Sequence, residues 1–144
     1  FGDGWMVMQQ RFGPPEALMN SWENYRGGFG SVDSRFWAGL ENIYQLTKTT
    51  PHELVVELVK YGGEYSFGRY ERFEIDSEYE KYAIKVLGRY NGSATEFLNV
   101  NKGYGFSTFD VDNGPNLIKS CALSSYGAWW YNKSCKNHVN DRDY

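Results

Sequence analysis

"ELVVELVKYGGEYSFGRYERFEI", residues 53–75, reads as β-structure folded back at a glycine turn. Leu54, Val56 and Leu58 alternate with Val55, Glu57 and Val59, a period of two, and β-branched and aromatic residues recur in both arms. Gly62 and Gly63 furnish the turn. The run that follows, "EKYAIKVLGRY" at 80–90, alternates in the same manner, so these segments are expected to pair as adjacent antiparallel strands.

Upstream the period lengthens. Leu18, Trp22 and Tyr25 recur at helical spacing in "ALMNSWENYRGGFG", and Gly27 and Gly28 mark the stop. A second short helix fits "LENIYQLTK", where Leu40, Ile43, Tyr44 and Thr47 share a face. Nearer the start, "WMVMQQR" at 5–11 is β-prone, and Pro14 and Pro15 then break the chain. Downstream of Asn91 the pattern dissolves into Gly, Asn, Ser and aromatics, the composition of long functional loops. The expected class is α+β: short helices packed on a twisted antiparallel sheet, then a loop-rich end. No repeat or linker divides the chain, so 1–144 is one domain, with helices and sheet over about 1–91 and the loop-rich region over about 92–144.

Hydrophobic residues are 41% and charged residues 23% of 144, which describes a globular chain and not a disordered one. Aromatics reach 18%, with 12 Tyr, 9 Phe and 5 Trp; they either fill the core alone or also furnish a recognition surface. The net charge of −3 and the lack of a basic run argue against nucleic acid or an anionic membrane as partner. No apolar stretch approaches the ~20 residues of a membrane span. The opening "FGDGWMVMQQ" has no signal-peptide pattern, so the chain reads as a piece of a longer precursor.

Cys121 and Cys135 are open to three readings: free thiols, half of a metal site, or one disulfide. Zinc wants four ligands, and His52 and His138 are the only histidines, so the disulfide fits better. A short loop closed in this way stabilises by about 3 kcal/mol and implies an oxidising compartment. The sequons "NGS" at Asn91 and "NKS" at Asn132 agree with that compartment and are candidate glycosylation sites.

Enzyme readings lack parts. His52 follows Pro51 at a turn and His138 lies in a polar tail, both expected as surface residues and not as bases. Zincin, nucleophile-elbow and phosphate-loop motifs are missing. Any two acids could converge for glycoside hydrolysis, but nothing favours a pair. The run "DVDNGPNLIKSC", 110–121, places acids at alternate positions as calcium loops do, yet it has Pro115 where an EF-hand needs Gly and Cys121 where it needs Glu. A plain turn, in which Asp110, Asp112 and Asn113 bond their own backbone, competes with a calcium site.

Several blocks, taken together, carry a family likeness. "GFSTFDVDNG" and "CALSSYGAWWYNKSC" resemble F-S-T-x-D-x-D-N-D, then C-A, then G-G-W-W-Y-N-x-C, of the fibrinogen-related domain. "GWMVMQQR", "NSWENYRGGFG" and "FWAGLENIYQLT" resemble that family's G-W-T-V-x-Q-R-R, W-x-x-Y-x-x-G-F-G and F-W-L-G-L-E-x-I-x-x-L-T, in the same order. The resemblance implies a secreted, non-enzymatic recognition domain of an innate-immune, ficolin-like lectin type that binds surface glycans or acetylated groups. Its alternative is a protein–protein interaction module of the signalling or matrix type, with the sugar pocket lost. It further implies that the family's N-terminal segment and last strands are absent, and that the full-length protein oligomerises through segments outside the domain.

Site residues follow from the same likeness. The family's second and third acids ligate Ca2+; Asp112 matches the second, but Gly114 stands at the third. The connection to Cys121 is about three residues longer, with Pro115 inserted. With Asp110 as a substitute ligand, calcium binding is expected to be weak or absent. Acetyl-binding members use aromatic rings and backbone donors around the second cysteine, which places the ligand pocket at Tyr126, Ala128 and Cys135, with Ser125 and Lys136 at its edge. Ser125 stands where peptide-binding members have an acid, and Lys136 where His is common, so knob peptides are disfavoured and anionic sugars favoured. Trp129 and Trp130 are expected to pack beside the disulfide.

Overall fold

The computed structural model describes residues 2–11, 19–60, 62–116 and 118–135. In chain order come β1 (Gln9–Gln10), α1 (Trp22–Gly27), β2 (Phe29–Gly30), β3 (Phe36–Trp37), α2 (Leu40–Thr49), β4 (Leu54–Val59), β5 (Tyr65–Tyr70), β6 (Phe73–Ile75), β7 (Ile84–Leu87), β8 (Tyr90–Gly92) and α3 (Cys121–Ser124). The α+β class holds, with strands all antiparallel and ordered β1-β3-β2, β4-β5-β8 and β6-β7.

The helices start and stop where their chemistry directs. Ser21 caps α1, its hydroxyl accepting from the Asn24 N–H. Gly28, at φ 97°, closes the same helix with its N–H on the Asn24 carbonyl. Leu40, Ile43 and Thr47 are the buried face of α2, and the Thr47 hydroxyl accepts from the Ile75 N–H. Leu18, the first residue of the expected α1 face, lies outside the described residues.

The alternating segments are one long hairpin with a fault in it. β4 and β5 pair from Leu54↔Tyr70 to Val59↔Tyr65, and β5 then pairs with β8 from Gly68↔Gly92 to Tyr70↔Tyr90. Beyond Tyr70 the inward parity changes: Tyr70, Phe73 and Ile75 are all buried, and an odd number of steps separates the first two. A strand of period two cannot do this without an extra residue. The chain therefore breaks step at Glu71 and Arg72, where Glu71 donates to the Arg89 carbonyl and Gly88 to that of Arg72. A Cβ on Gly88 would lie 2.5 Å from the Arg72 nitrogen, so glycine permits the close approach. The single expected sheet is divided at this point into β4-β5-β8 and β6-β7.

The core is aromatic. Tyr25 of α1, Trp37 of β3, Phe106 and Trp130 lie ring on ring, with centroids 5.5 Å apart for Tyr25 and Trp37, 5.2 Å for Tyr25 and Phe106, and 4.8 Å for Phe106 and Trp130. Both indole N–H groups are satisfied: Trp37 donates to the Tyr25 carbonyl at 2.8 Å and Trp130 to the Tyr82 carbonyl at 2.7 Å. Buried Asn101 donates to the Trp130 carbonyl at 2.7 Å. Replacing Trp130 by Ala leaves a cavity and an orphaned Tyr82 carbonyl. We expect a loss of about 3–5 kcal/mol in denaturant unfolding.

Three tyrosines make the fold alkali-sensitive. Burial pushes the Tyr70 hydroxyl from 10.0 up to about 12. It also raises Tyr25 and Tyr82, with Glu41 adding to the rise at Tyr82. With folded values above unfolded ones, the unfolded chain gives up its protons first as the pH rises. The stability contributed by these neutral phenols is complete below about pH 10 and declines through about 12. Circular dichroism over that window should show a falling unfolding midpoint, with tyrosinate absorbance growing as structure is lost.

Candidate functional site

Two loops meet beside the disulfide. The first, 105–116, is anchored by Phe106, Ser107 and Thr108, all fully buried. Ser107 pairs with Trp129 through two backbone hydrogen bonds of 2.9 and 3.1 Å. Its hydroxyl accepts from the Asn113 N–H at 2.9 Å, and the Asn113 side chain donates to the Phe106 carbonyl. Asp112 accepts from the Gly114 N–H at 3.0 Å, the local turn bond expected of an Asx residue.

Asp110 behaves differently. Its Oδ1 accepts from the Thr108 hydroxyl at 2.7 Å and from the Trp22 N–H at 2.9 Å. Trp22 opens α1, so the carboxylate satisfies a helix-end donor from the far side of the sequence. Asp110 is engaged with protein donors, Asp112 is turned to its own backbone, and Gly114 brings no carboxylate. Among the described residues no three His, Cys, Asp or Glu side chains gather as a metal site, whereas calcium takes six to eight oxygens.

The second loop carries the cysteines. Cys121 and Cys135 are bonded, with Cα atoms 5.2 Å apart. The region read as irregular holds one helical turn, α3, which Ser120 caps by accepting from the Leu123 N–H. Ser125 is exposed and ends that turn, its N–H on the Cys121 carbonyl at 2.9 Å. The chain then reverses through Tyr126, and Gly127 donates back to Ala122. Tyr126 is 56% exposed; Ala128 beside it is buried, and the Tyr131 hydroxyl donates to the Gly127 carbonyl.

Tyr126 and Cys135 both sit in the left-handed region, at φ 52° and 56°. For residues with side chains this costs on the order of 1–3 kcal/mol each, and such strain concentrates at binding sites. Trp129 and Trp130, which follow Tyr126 in the chain, are 5% and 1% exposed and lie edge to face at 5.2 Å. The Trp129 indole N–H is buried with no hydrogen-bond partner among the described residues. Lys136 lies outside the described residues.

Two amides hold the second loop in place: Asn132, read from sequence only as a glycosylation candidate, and Asn116, which sequence reading passed over. Asn132 accepts from the Ser134 N–H through Oδ1, receives the Cys135 N–H on its carbonyl, and donates from Nδ2 to the Val100 carbonyl. Asn116 accepts from Ile118 and Lys119 and donates to the Lys133 carbonyl, which ties the longer connection to the approach to Cys135. The signal available was the placement of Asn ahead of Ser, Gly and Lys in turns.

Other features lie apart. An open cleft of about 660 Å³ runs along Tyr79, Lys81, Lys102 and Tyr104 to Asn113 and Gly114, and none of Ser125, Tyr126, Ala128 or Cys135 lines it. Lys81 on this cleft is also left-handed, at φ 61°, so the exposed ring of Tyr126 and the disulfide, not strain, single out the second loop as the better candidate. His52 holds the Thr50 carbonyl at 2.7 Å through its ring, with no nucleophile or acid on it.

Comparison with known proteins decides the family. The sequence profile for "Fibrinogen beta and gamma chains, C-terminal globular domain" matches residues 1–144. The chain is a member of the fibrinogen C-terminal domain family. This fibrinogen-type domain is similar to human ficolin-3, 37% identical over 98% of the chain and 47% of ficolin-3, and to human tenascin-R, 37% identical over 98% of the chain and 10% of tenascin-R. It therefore spans about half of one relative and a tenth of the other. Among solved structures, the fibrinogen-like globe domain of human ANGPTL6 superposes with a TM-score of 0.85 at 37% identity, covering 90% of this chain and 58% of that one.

The staple generates a prediction. Changing both Cys121 and Cys135 to Ser should cost about 3 kcal/mol. Hydrogen exchange should rise first in 118–135, before β4 and β5, whose ladder has its own apolar face.

Proposed function

We propose that this fibrinogen-type domain is a secreted, non-enzymatic recognition module that binds surface glycans or acetylated groups, in the manner of an innate-immune lectin. The observation that carries the reading is Tyr126: an exposed aromatic side chain on a left-handed backbone, inside the loop that the Cys121–Cys135 disulfide closes. A rigid base with an exposed ring preorganises contacts and lowers the ordering cost of binding. An acetyl group needs one apolar niche and one or two donors, and the exposed Tyr126 ring supplies the apolar contact. Lys136 next in sequence adds positive charge and favours acidic sugars. The disulfide supports an extracellular setting. No helix among the described residues is long and apolar enough to cross a membrane.

Calcium has no necessary part in this reading, because protein hydrogen bonds order the Asp110 loop. A second reading, a protein-interaction module, is favoured by one observation: the exposed Ser125 offers no aromatic ring to a sugar pocket. A glycan array probed with and without a chelator separates the two. Binding of acetylated or acidic glycans that survives chelation is the expected result. Tyr126→Ala should reduce it at least tenfold with the unfolding midpoint unchanged, since that ring is exposed. An empty array, or full binding by Tyr126→Ala, removes the lectin reading in favour of a protein partner.

A further inference from the structure

The two sequons have opposite structural fates. We propose that Asn91, and not Asn132, carries an N-linked glycan; this rests on the reading that the chain passes through the secretory pathway.

Asn91 is the middle residue of β8, and its neighbour Tyr90 points inward onto Tyr70 at a ring distance of 5.0 Å. The period of two then turns Asn91 outward, on the face where its register partner Arg69 meets Glu53 at 2.6 Å. Asn91 is exposed, and no described residue hydrogen-bonds its side chain. β8 is also the last strand of the β4-β5-β8 sheet, so nothing in that sheet flanks it on its outer side. An oligosaccharide leaves freely from such a position.

Asn132 offers no such exit. Its Nδ2, the atom that would bear the sugar, donates to the Val100 carbonyl at 3.3 Å. Its Oδ1 accepts from the Ser134 N–H at 3.0 Å, inside its own sequon. Its carbonyl takes the Cys135 N–H at 3.0 Å, which sets the left-handed turn at the disulfide. The residue is half-buried. A saccharide on Nδ2 takes one of the two hydrogens of a half-buried amide already held against Val100 and crowds the turn that leads into Cys135. The sequon at 132 is there for its turn chemistry.

The chemistry needs one co-reactant, a lipid diphosphate-linked oligosaccharide. The Asn91 amide nitrogen bonds to the anomeric carbon as that carbon's bond to the diphosphate oxygen breaks. The lipid diphosphate leaves, and one amide proton passes to a base; nothing is oxidised or reduced. A glycan here also stands at the free edge of β8 and hinders another strand from pairing with it.

The test is intact-glycopeptide mass spectrometry on the full chain secreted by animal cells. The expected result is a glycan on the peptide holding Asn91 and none on the peptide holding Asn132. Asn91→Gln should lower the mass by one whole glycan. Ser134→Ala, which destroys the second sequon but keeps the Ser134 N–H that Asn132 holds, should leave the glycan mass unchanged. A glycan on Asn132, or a bare Asn91 in protein whose Cys121–Cys135 bond is intact, overturns the proposal alone. Free thiols at both cysteines in the natural protein overturn the extracellular reading and the proposal with it.

Discussion

Trp130 is the residue on which the parts of this domain converge. Its ring meets Phe106, Trp37 and Phe73, which come from the acidic loop, β3 and β6. Its N–H closes on the Tyr82 carbonyl and its own carbonyl receives Asn101. A tryptophan buried to 1% exposure with both polar groups satisfied fixes position as well as excluding water. The loop proposed for recognition begins one residue away at Trp129 and Ala128. The site therefore inherits its rigidity from the core.

Around that anchor, the loop that resembles a calcium site is ordered by protein groups. Ser107 receives the Asn113 N–H, the Asn113 side chain donates to the Phe106 carbonyl, and Asp110 joins the Thr108 hydroxyl to the first N–H of α1. A carboxylate that accepts from a helix end and a hydroxyl has much of its lone-pair capacity engaged by neutral donors. Gly114, lacking a side chain, leaves the Asp112 oxygen to its turn. The same loop holds the second one through the Ser107–Trp129 pair.

Much of the architecture was legible because it rests on local patterning. The helical spacing of Leu40, Ile43 and Thr47 and the alternation in 54–59 reflect burial of one face, which a sequence displays directly. The division of the sheet was written in the sequence too, as the odd step from Tyr70 to Phe73, but it surfaces only once both are known to face inward. The disulfide could be read because no third cysteine competes. What resisted reading is long-range polar pairing. Nothing near Asp110 announces Trp22, and nothing near Asn101 announces Trp130, because a hydrogen bond across the fold leaves no period.

The Asp110–Trp22 clasp joins positions 88 residues apart, and this bears on the order in which the chain assembles. Closing so long a segment carries a large loop entropy, which contacts made earlier must first reduce. The β4–β5 hairpin and α2 can form from neighbouring residues as the chain emerges, while α1 waits with an unanswered helix end. Until Phe106 and Trp130 arrive, the faces of Tyr25 and Trp37 have no cover. During synthesis the loops around the disulfide are thus the last part to acquire shape, and the nascent domain presents uncovered aromatic surface for most of its length.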